Sequence, residues 1–184
     1  AAAHDGQHVG RAGADIARGH VVLTRGDVLL PAKVGAIAAV GHASARVWAR
    51  PRVAIISTGN EVVAPGQPLG PGQIHDVNRH TLSAIVEAHG GVPVPFDVAG
   101  DTIEALDAAV TAAVGCDLIV FSGGSSVGNR DLVMDILRAR GTVVFHGIAT
   151  RPGKPTAFGT IDGVPVFGMP GNPTSCLTNA YVLL

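Results

Sequence analysis

Between Asp117 and Asp131 the chain reads DLIVFSGGSSVGNRD, an apolar run that empties into a Gly/Ser loop closed by an aspartate just before a helical pattern begins. Asp117 to Phe121 reads as a buried parallel strand. Leu132 to Arg140 reads as an amphipathic helix with Leu132, Met134, Ile136 and Leu137 turned inward. A loop in that position lies at the carboxyl end of a strand and at a helix amino terminus. Backbone N–H groups and the positive end of the helix dipole converge there, which suits a phosphate or another oxyanion. Gly123, Gly124 and Gly128 permit close approach and positive φ, and Asp131 faces the same mouth as a candidate metal ligand. A glycine turn from strand to helix is also a common plain connector, so this stretch leaves both readings open.

The elements around it repeat the same alternation. Strands are predicted at Val53 to Ser57, Val92 to Val98 and Leu118 to Phe121, with helices at Val77 to His89, Thr102 to Val114 and Leu132 to Arg140. Val143 to Ala149, Thr156 to Thr160 and Val164 to Phe167 read as three further strands. The last two form a hairpin around Asp162-Gly163, and a final helix begins near Asn172. This order implies an α/β fold, a three-layer α/β/α arrangement whose mostly parallel sheet binds ligands at the carboxyl ends of its strands. The first fifty residues differ in texture. Short β-prone pieces at His20 to Thr24 and Val28 to Leu30, a helix from Pro31 to Val40 and a strand from Arg46 to Ala49 suggest a small α+β segment. The boundary falls near Pro51, giving residues 1–50 and 51–184.

Composition narrows the function classes. With 184 residues and 47% hydrophobic content the chain can bury one substantial core without disulfides or metals. The two cysteines, Cys116 and Cys176, have no metal or redox spacing and read as small core residues, which fits a reducing cytoplasm. A net charge of −1, no basic run and few aromatic residues disfavour a nucleic-acid surface. No apolar run approaches the roughly 20 residues that span a bilayer, and AAAHDGQHVG carries no signal-peptide core, so no membrane partner is expected. The missing initiator Met and a chain end inside an apparent helix at Tyr181 to Leu184 suggest a piece of a longer polypeptide.

Four more loops fall where this topology places a site. Ser57-Thr58-Gly59-Asn60-Glu61 follows the first strand, and Glu61, one of three glutamates, is either a ligand for a metal or hydroxyl or a solvated turn acid. Gly72 to Asn78 leads into a helix, where Asp76 or Asn78 reads first as an N-cap. In Arg151-Pro152-Gly153-Lys154-Pro155 one of only two lysines stands between prolines that restrict the backbone and aim the cation, as for a phosphate or oxyanion. In Met169-Pro170-Gly171-Asn172-Pro173, Asn172 as N-cap and Pro173 at the first helical position make a stiff helix start whose N–H groups suit a second anion.

Taken in order, STGNE (Ser57 to Glu61), PG (Pro65-Gly66), GQIHDVN (Gly72 to Asn78), SGGSSVGNRD (Ser122 to Asp131), PGKP (Pro152 to Pro155) and MPGNP (Met169 to Pro173) resemble the molybdopterin molybdenumtransferases of the MoeA and gephyrin E-domain type. The resemblance implies a MogA-like molybdopterin-binding domain over residues 51–184. Residues 1–50 would be part of the preceding module, and the family's carboxyl-terminal β-barrel would be absent. It also implies molybdenum cofactor biosynthesis in the cytoplasm, by insertion of molybdate into adenylylated molybdopterin with release of AMP, assisted by Mg2+ or another divalent cation.

By motif position the resemblance makes Glu61 and Asp131 the acids at the metal, and Lys154 with Arg151 the cations for phosphate or molybdate. Asp15 would come from the flanking module. Thr58, Gly59, Asp76, Asn78, Ser122, Gly123, Gly124, Ser125, Ser126, Gly128, Pro152, Gly153, Pro170, Gly171, Asn172 and Pro173 would cradle the ligand. The family works as a homodimer and has molybdopterin adenylyltransferase as a candidate partner. There are departures: His8 and Gly10 stand where the family has an amide and a cation, and Ala14 where it usually has Glu. Two alternatives stay open, a molybdopterin adenylyltransferase, against which Ser125-Ser126 in the glycine loop argues, and a noncatalytic molybdopterin-binding scaffold.

Overall fold

The computed structural model describes residues 4–124 and 131–184. The chain divides into two compact units, Ala1–Trp48 and Ala49–Leu184. Its elements in order are α1 (Pro31–Ala39), β1 (Arg52–Ser57), β2 (Val62–Val63), β3 (Ile74–His75), α2 (Asn78–Ala88), β4 (Val92–Pro95), α3 (Ile103–Ala113), β5 (Leu118–Ser122), α4 (Leu132–Arg140), β6 (Gly141–His146), β7 (Ala157–Ile161), β8 (Val164–Met169) and α5 (Pro173–Leu183).

In the larger unit six strands form one sheet in the order β4-β1-β5-β8-β7-β6. The first four run parallel, and β7 and β6 join antiparallel. The reason for the layering is visible in β1, which is buried along all but its first residue. Successive strand residues point to opposite faces. Accordingly Ala54 and Ile56 pack in a core with Leu106 and Val110 of α3 and Met134 and Leu137 of α4. Val53 and Ile55 pack on the other side with Leu82 and Ile85 of α2 and Cys176 and Ala180 of α5. One strand thus belongs to two cores, and burying each of the Val, Ile, Leu and Met side chains contributes about 1.5–3 kcal/mol.

Local chemistry sets the element ends. Thr102 caps α3 by accepting from the Ala105 N–H, Asp131 caps α4 by accepting from the Met134 N–H, and Asn172 caps α5 by accepting from the Ser175 N–H, with Pro173 opening that helix. The β7–β8 turn has Asp162 at φ +51° and Gly163 at φ +81°, the left-handed pair a two-residue hairpin turn uses. The strand predicted to reach Val98 leaves the ladder after Pro95. It touches β1 again at Ala99, whose N–H donates to the Ser57 carbonyl at 2.9 Å. A small parallel pair, β2 with β3, was not foreseen.

In the smaller unit α1 matches the predicted helix, but the predicted strands at His20 to Thr24, Val28 to Leu30 and Arg46 to Ala49 are not strands. No described segment of that unit pairs with them, and Thr24 turns to local bonds instead. The Asp27 N–H donates to the Thr24 carbonyl at 3.2 Å, and the Thr24 N–H donates back to Asp27 Oδ2 at 2.7 Å. Lys33 of α1 closes on Asp27 Oδ1 at 2.6 Å and holds that carboxyl down at about 2.

Candidate functional site

At the carboxyl ends of β1, β5 and β8 the larger unit opens into a cleft of about 760 Å³. Its walls are Ser57 to Gly59 and Glu61 from the loop after β1, His75 to Asn78 at the start of α2, Asp101 before α3, Ser122 to Gly124 after β5, Pro155, and Pro170 to Pro173 with Ser175 at the start of α5. The strand order reverses beside β1, which is where an open α/β sheet leaves a crevice.

Two glycines are required by this geometry. Gly123 sits at φ +98°, and a Cβ there would lie 2.7 Å from the Thr58 carbonyl oxygen and 2.8 Å from its hydroxyl. Gly59 sits at φ +136°, and a Cβ there would lie 2.8 Å from both carboxylate oxygens of Glu61. Gly123 therefore lets the β5 loop close on the β1 loop, and Gly59 makes room for Glu61.

The polar groups of the cleft are incompletely satisfied. Among the described residues the buried side-chain atoms with no hydrogen-bond partner are Thr58 Oγ1, Asp76 Oδ2, Asn78 Oδ1 and Asp101 Oδ1, and all four residues line the cleft. Thr58, Asp76 and Asn78 are only 3%, 4% and 8% exposed. Each is held by its other atoms. Asp76 Oδ1 accepts from the Arg79 N–H at 3.0 Å, so Asp76 is a helix cap as well as a cleft residue. Asn78 is not a cap: its amide donates to the Gly171 carbonyl at 2.8 Å and ties α2 to the turn before α5. Asp101 Oδ2 accepts from the Asn60 N–H at 3.1 Å, while the Asp101 N–H donates to Asn60 Oδ1 at 3.3 Å. An unsatisfied buried polar atom costs about 1–3 kcal/mol, so four at one cleft call for a ligand or water to complete them.

Of the predicted site residues, Thr58, Gly59, Glu61, Asp76, Asn78, Ser122, Gly123, Gly124, Pro170, Gly171, Asn172 and Pro173 come together in the cleft wall. Ser125, Ser126 and Gly128 lie outside the described residues. Asp131 does not line the cleft: its Oδ1 takes the Met134 N–H at 3.1 Å and its Oδ2 lies 3.4 Å from Nε2 of His146. Arg151, Pro152, Gly153 and Lys154 are not wall residues either, although the next residue, Pro155, is. Asp15 is exposed in the smaller unit. Asp101 and His75 were missed by sequence reasoning. The signal for Asp101 was present in Gly100-Asp101-Thr102, a polar turn following a strand and opening a helix.

No group of three or more His, Cys, Asp or Glu side chains is assembled for a metal among the described residues. The cleft does offer the oxygens of Glu61, Asp76 and Asp101, hard donors of the kind Mg2+ takes when a phosphate-bearing substrate supplies the rest of its shell. Burial and then the Asp76 charge push the Cys176 thiol up to about 12, so it stays protonated at neutral pH.

Comparison with known proteins bears on what this cleft holds. The family model described as probable molybdopterin binding domain matches residues 54–184. The molybdopterin molybdenumtransferase 2 of Mycobacterium tuberculosis is 40% identical over 186 residues, covering 97% of this chain and 46% of that protein. The molybdopterin molybdenumtransferase of Haemophilus influenzae is 37% identical over 179 residues, covering 97% of this chain and 44% of that protein. In structure, a molybdopterin biosynthesis MoeA protein from Pyrococcus horikosii superimposes with a TM-score of 0.82 at 44% identity, over 93% of this chain and 43% of that one. The chain thus spans about half the length of the curated relatives it matches.

Proposed function

The chain belongs to the molybdopterin-binding domain family, and from that premise we propose that it binds adenylylated molybdopterin and serves the insertion of molybdate with release of AMP. The observation that carries this reading is the set of buried, unpartnered oxygens on Thr58, Asp76, Asn78 and Asp101, gathered in one cleft at the ends of parallel strands. A ligand with N–H donors and a metal-bridged phosphoanhydride satisfies such a wall, whereas an apolar ligand leaves it unsatisfied. The three relatives carry transferase or MoeA names rather than an adenylyltransferase name, which favours insertion over adenylylation.

In this reading Glu61, with Asp101 on the same cleft wall, would hold a divalent cation whose remaining ligands are phosphate oxygens. Such a cation would supply charge neutralisation at the phosphoanhydride, where the P–O bond to AMP is exchanged for one to a water or molybdate oxygen. Lys154 and Arg151 neutralise phosphate or molybdate oxygens from the adjoining loop. Asp131, at the start of α4 beside His146, would be the second acid of this reading by motif position. Gly123 lets the β5 loop close against Thr58, and Gly59 leaves room for the Glu61 carboxylate. Asp15 of the smaller unit, homodimer formation, a molybdopterin adenylyltransferase partner and a cytoplasmic location complete the proposal. No helix among the described residues is long and apolar enough to cross a membrane.

Calorimetric titration with adenylylated molybdopterin, with and without Mg2+, followed by an AMP assay after molybdate is added, tests it. Binding and AMP release are the expected result. Binding without release identifies a ligand-binding module that lacks turnover, and absence of binding removes the reading.

A further inference from the structure

The loop that carries Lys154 is fixed from inside the protein by a side chain outside the cleft wall. Asn179 of α5 is 1% exposed. Its amide donates to the Gly153 carbonyl at 2.8 Å and to Thr156 Oγ1 at 2.6 Å, and the Thr156 hydroxyl donates to the same Gly153 carbonyl at 2.9 Å. Gly153 lies at φ +110°, and a Cβ there would run into the Asn179 amide. On the other side of the loop the Lys154 carbonyl accepts from the Ile148 N–H at 3.0 Å and the Thr156 N–H at 2.9 Å. Both carbonyls flanking the lysine backbone are therefore doubly bonded, while Lys154 itself is exposed and the next residue, Pro155, forms cleft wall.

We propose that Asn179, with Thr156, is a positioning residue that sets where the Lys154 ammonium stands relative to the cleft. This rests on the role given to Lys154 above. An asparagine is costly in the middle of a buried helix face unless its amide is spent, and here both recorded bonds are spent on the lysine loop and none on α5. A displacement of order 1 Å at a charge-bearing group is enough to weaken a transition-state or phosphate contact strongly.

The test is a double-mutant cycle on the full chain, titrated with adenylylated molybdopterin. Lys154→Ala is expected to lower affinity about tenfold or more. Asn179→Ala is expected to lower it about fivefold alone, yet to change nothing further when Lys154 is already Ala, because the two act through one contact. Thr156→Val removes the hydroxyl from the same network and is expected to behave as Asn179→Ala does, and Thr156→Ser to bind as wild type. It carries the cycle if Asn179→Ala does not fold. Additive losses, with Lys154→Ala harmful, overturn the positioning role and leave the lysine role standing. A silent Lys154→Ala overturns the lysine role on which the inference rests.

Discussion

The helices α1 and α2 make the most instructive pair in the molecule. α1, PAKVGAIAA, is the more apolar of the two, yet none of its residues is buried. α2, NRHTLSAIVEA, mixes polar and apolar residues and still buries Asn78, Leu82, Ile85 and Val86. The difference lies in what each helix meets. α2 lies on a sheet whose strands offer Val53, Ile55 and Val120 on that face, whereas the described residues of the smaller unit form no sheet and leave Val21, Val28, Leu30, Val34, Val47 and Trp48 exposed. Apolar content supplies a driving force only when a second layer receives it.

This contrast can be broken most decisively in the core. Phe121→Ala in β5, a fully buried ring, is expected to destabilise the larger unit by about 3–5 kcal/mol, while Val34→Ala in α1 changes stability by less than about 0.5 kcal/mol in denaturant unfolding. Equal losses would show that α1 has a burial partner after all. Next in size is an alkaline effect confined to the larger unit. The Cys176 thiol is raised from 9.0 to about 12, so it keeps its proton in the folded state while the unfolded chain loses it. The stability present below pH 9 is then lost as pH rises toward 12, by a few kcal/mol on the order of the shift. Cys176→Ala should flatten that part of an unfolding-versus-pH series relative to wild type.

Gly123→Ala comes third. It forces a side chain into φ +98° against the Thr58 carbonyl and is expected to cost about 1–3 kcal/mol and to abolish ligand binding, readable by thermal unfolding and titration. Thr58→Val has the opposite sign. Removing an unpartnered hydroxyl should raise stability by about 1 kcal/mol while weakening ligand binding, and a destabilised variant would mean the hydroxyl already has a partner. The smallest effect belongs to the smaller unit, where Lys33 holds Asp27 at about 2. The stabilisation from that contact is present above about pH 4 and fades as pH falls toward 2. Lys33→Ala should return the Asp27 titration toward 3.8 in an NMR pH series, with little change in unfolding.

The larger unit was legible in the sequence because its signals are periodic and mutually consistent. LIVF before SGG, the helix Leu132 to Arg140, and Asn172-Pro173 before α5 each follow from a local rule, and each stands where it was read. The smaller unit misled because His20 to Thr24 has strand propensity but no strand to pair with, and pairing is a property of two segments. In the site, the clustering of the β1, β5 and β8 loops followed from topology alone. Asp101 and Asn179 did not: one comes from the turn after an edge strand, the other from a buried helix face, and neither shows in sequence what it faces in space.

The cleft rim is laced from strand to strand. The Thr58 N–H donates to the Ser122 carbonyl at 3.0 Å, the Gly59 N–H to the Ala99 carbonyl at 3.2 Å and the Gly123 N–H to the Met169 carbonyl at 3.2 Å, while Asn78 holds Gly171. The three backbone bonds continue the sheet's own ladder into the loops, so these walls part only by unzipping the ends of β1 and β5. Such a rim works as a mould rather than a jaw. It sorts ligands by what already fits, loses little entropy when one is seated, and leaves selectivity to shape and charge fixed at the moment of folding.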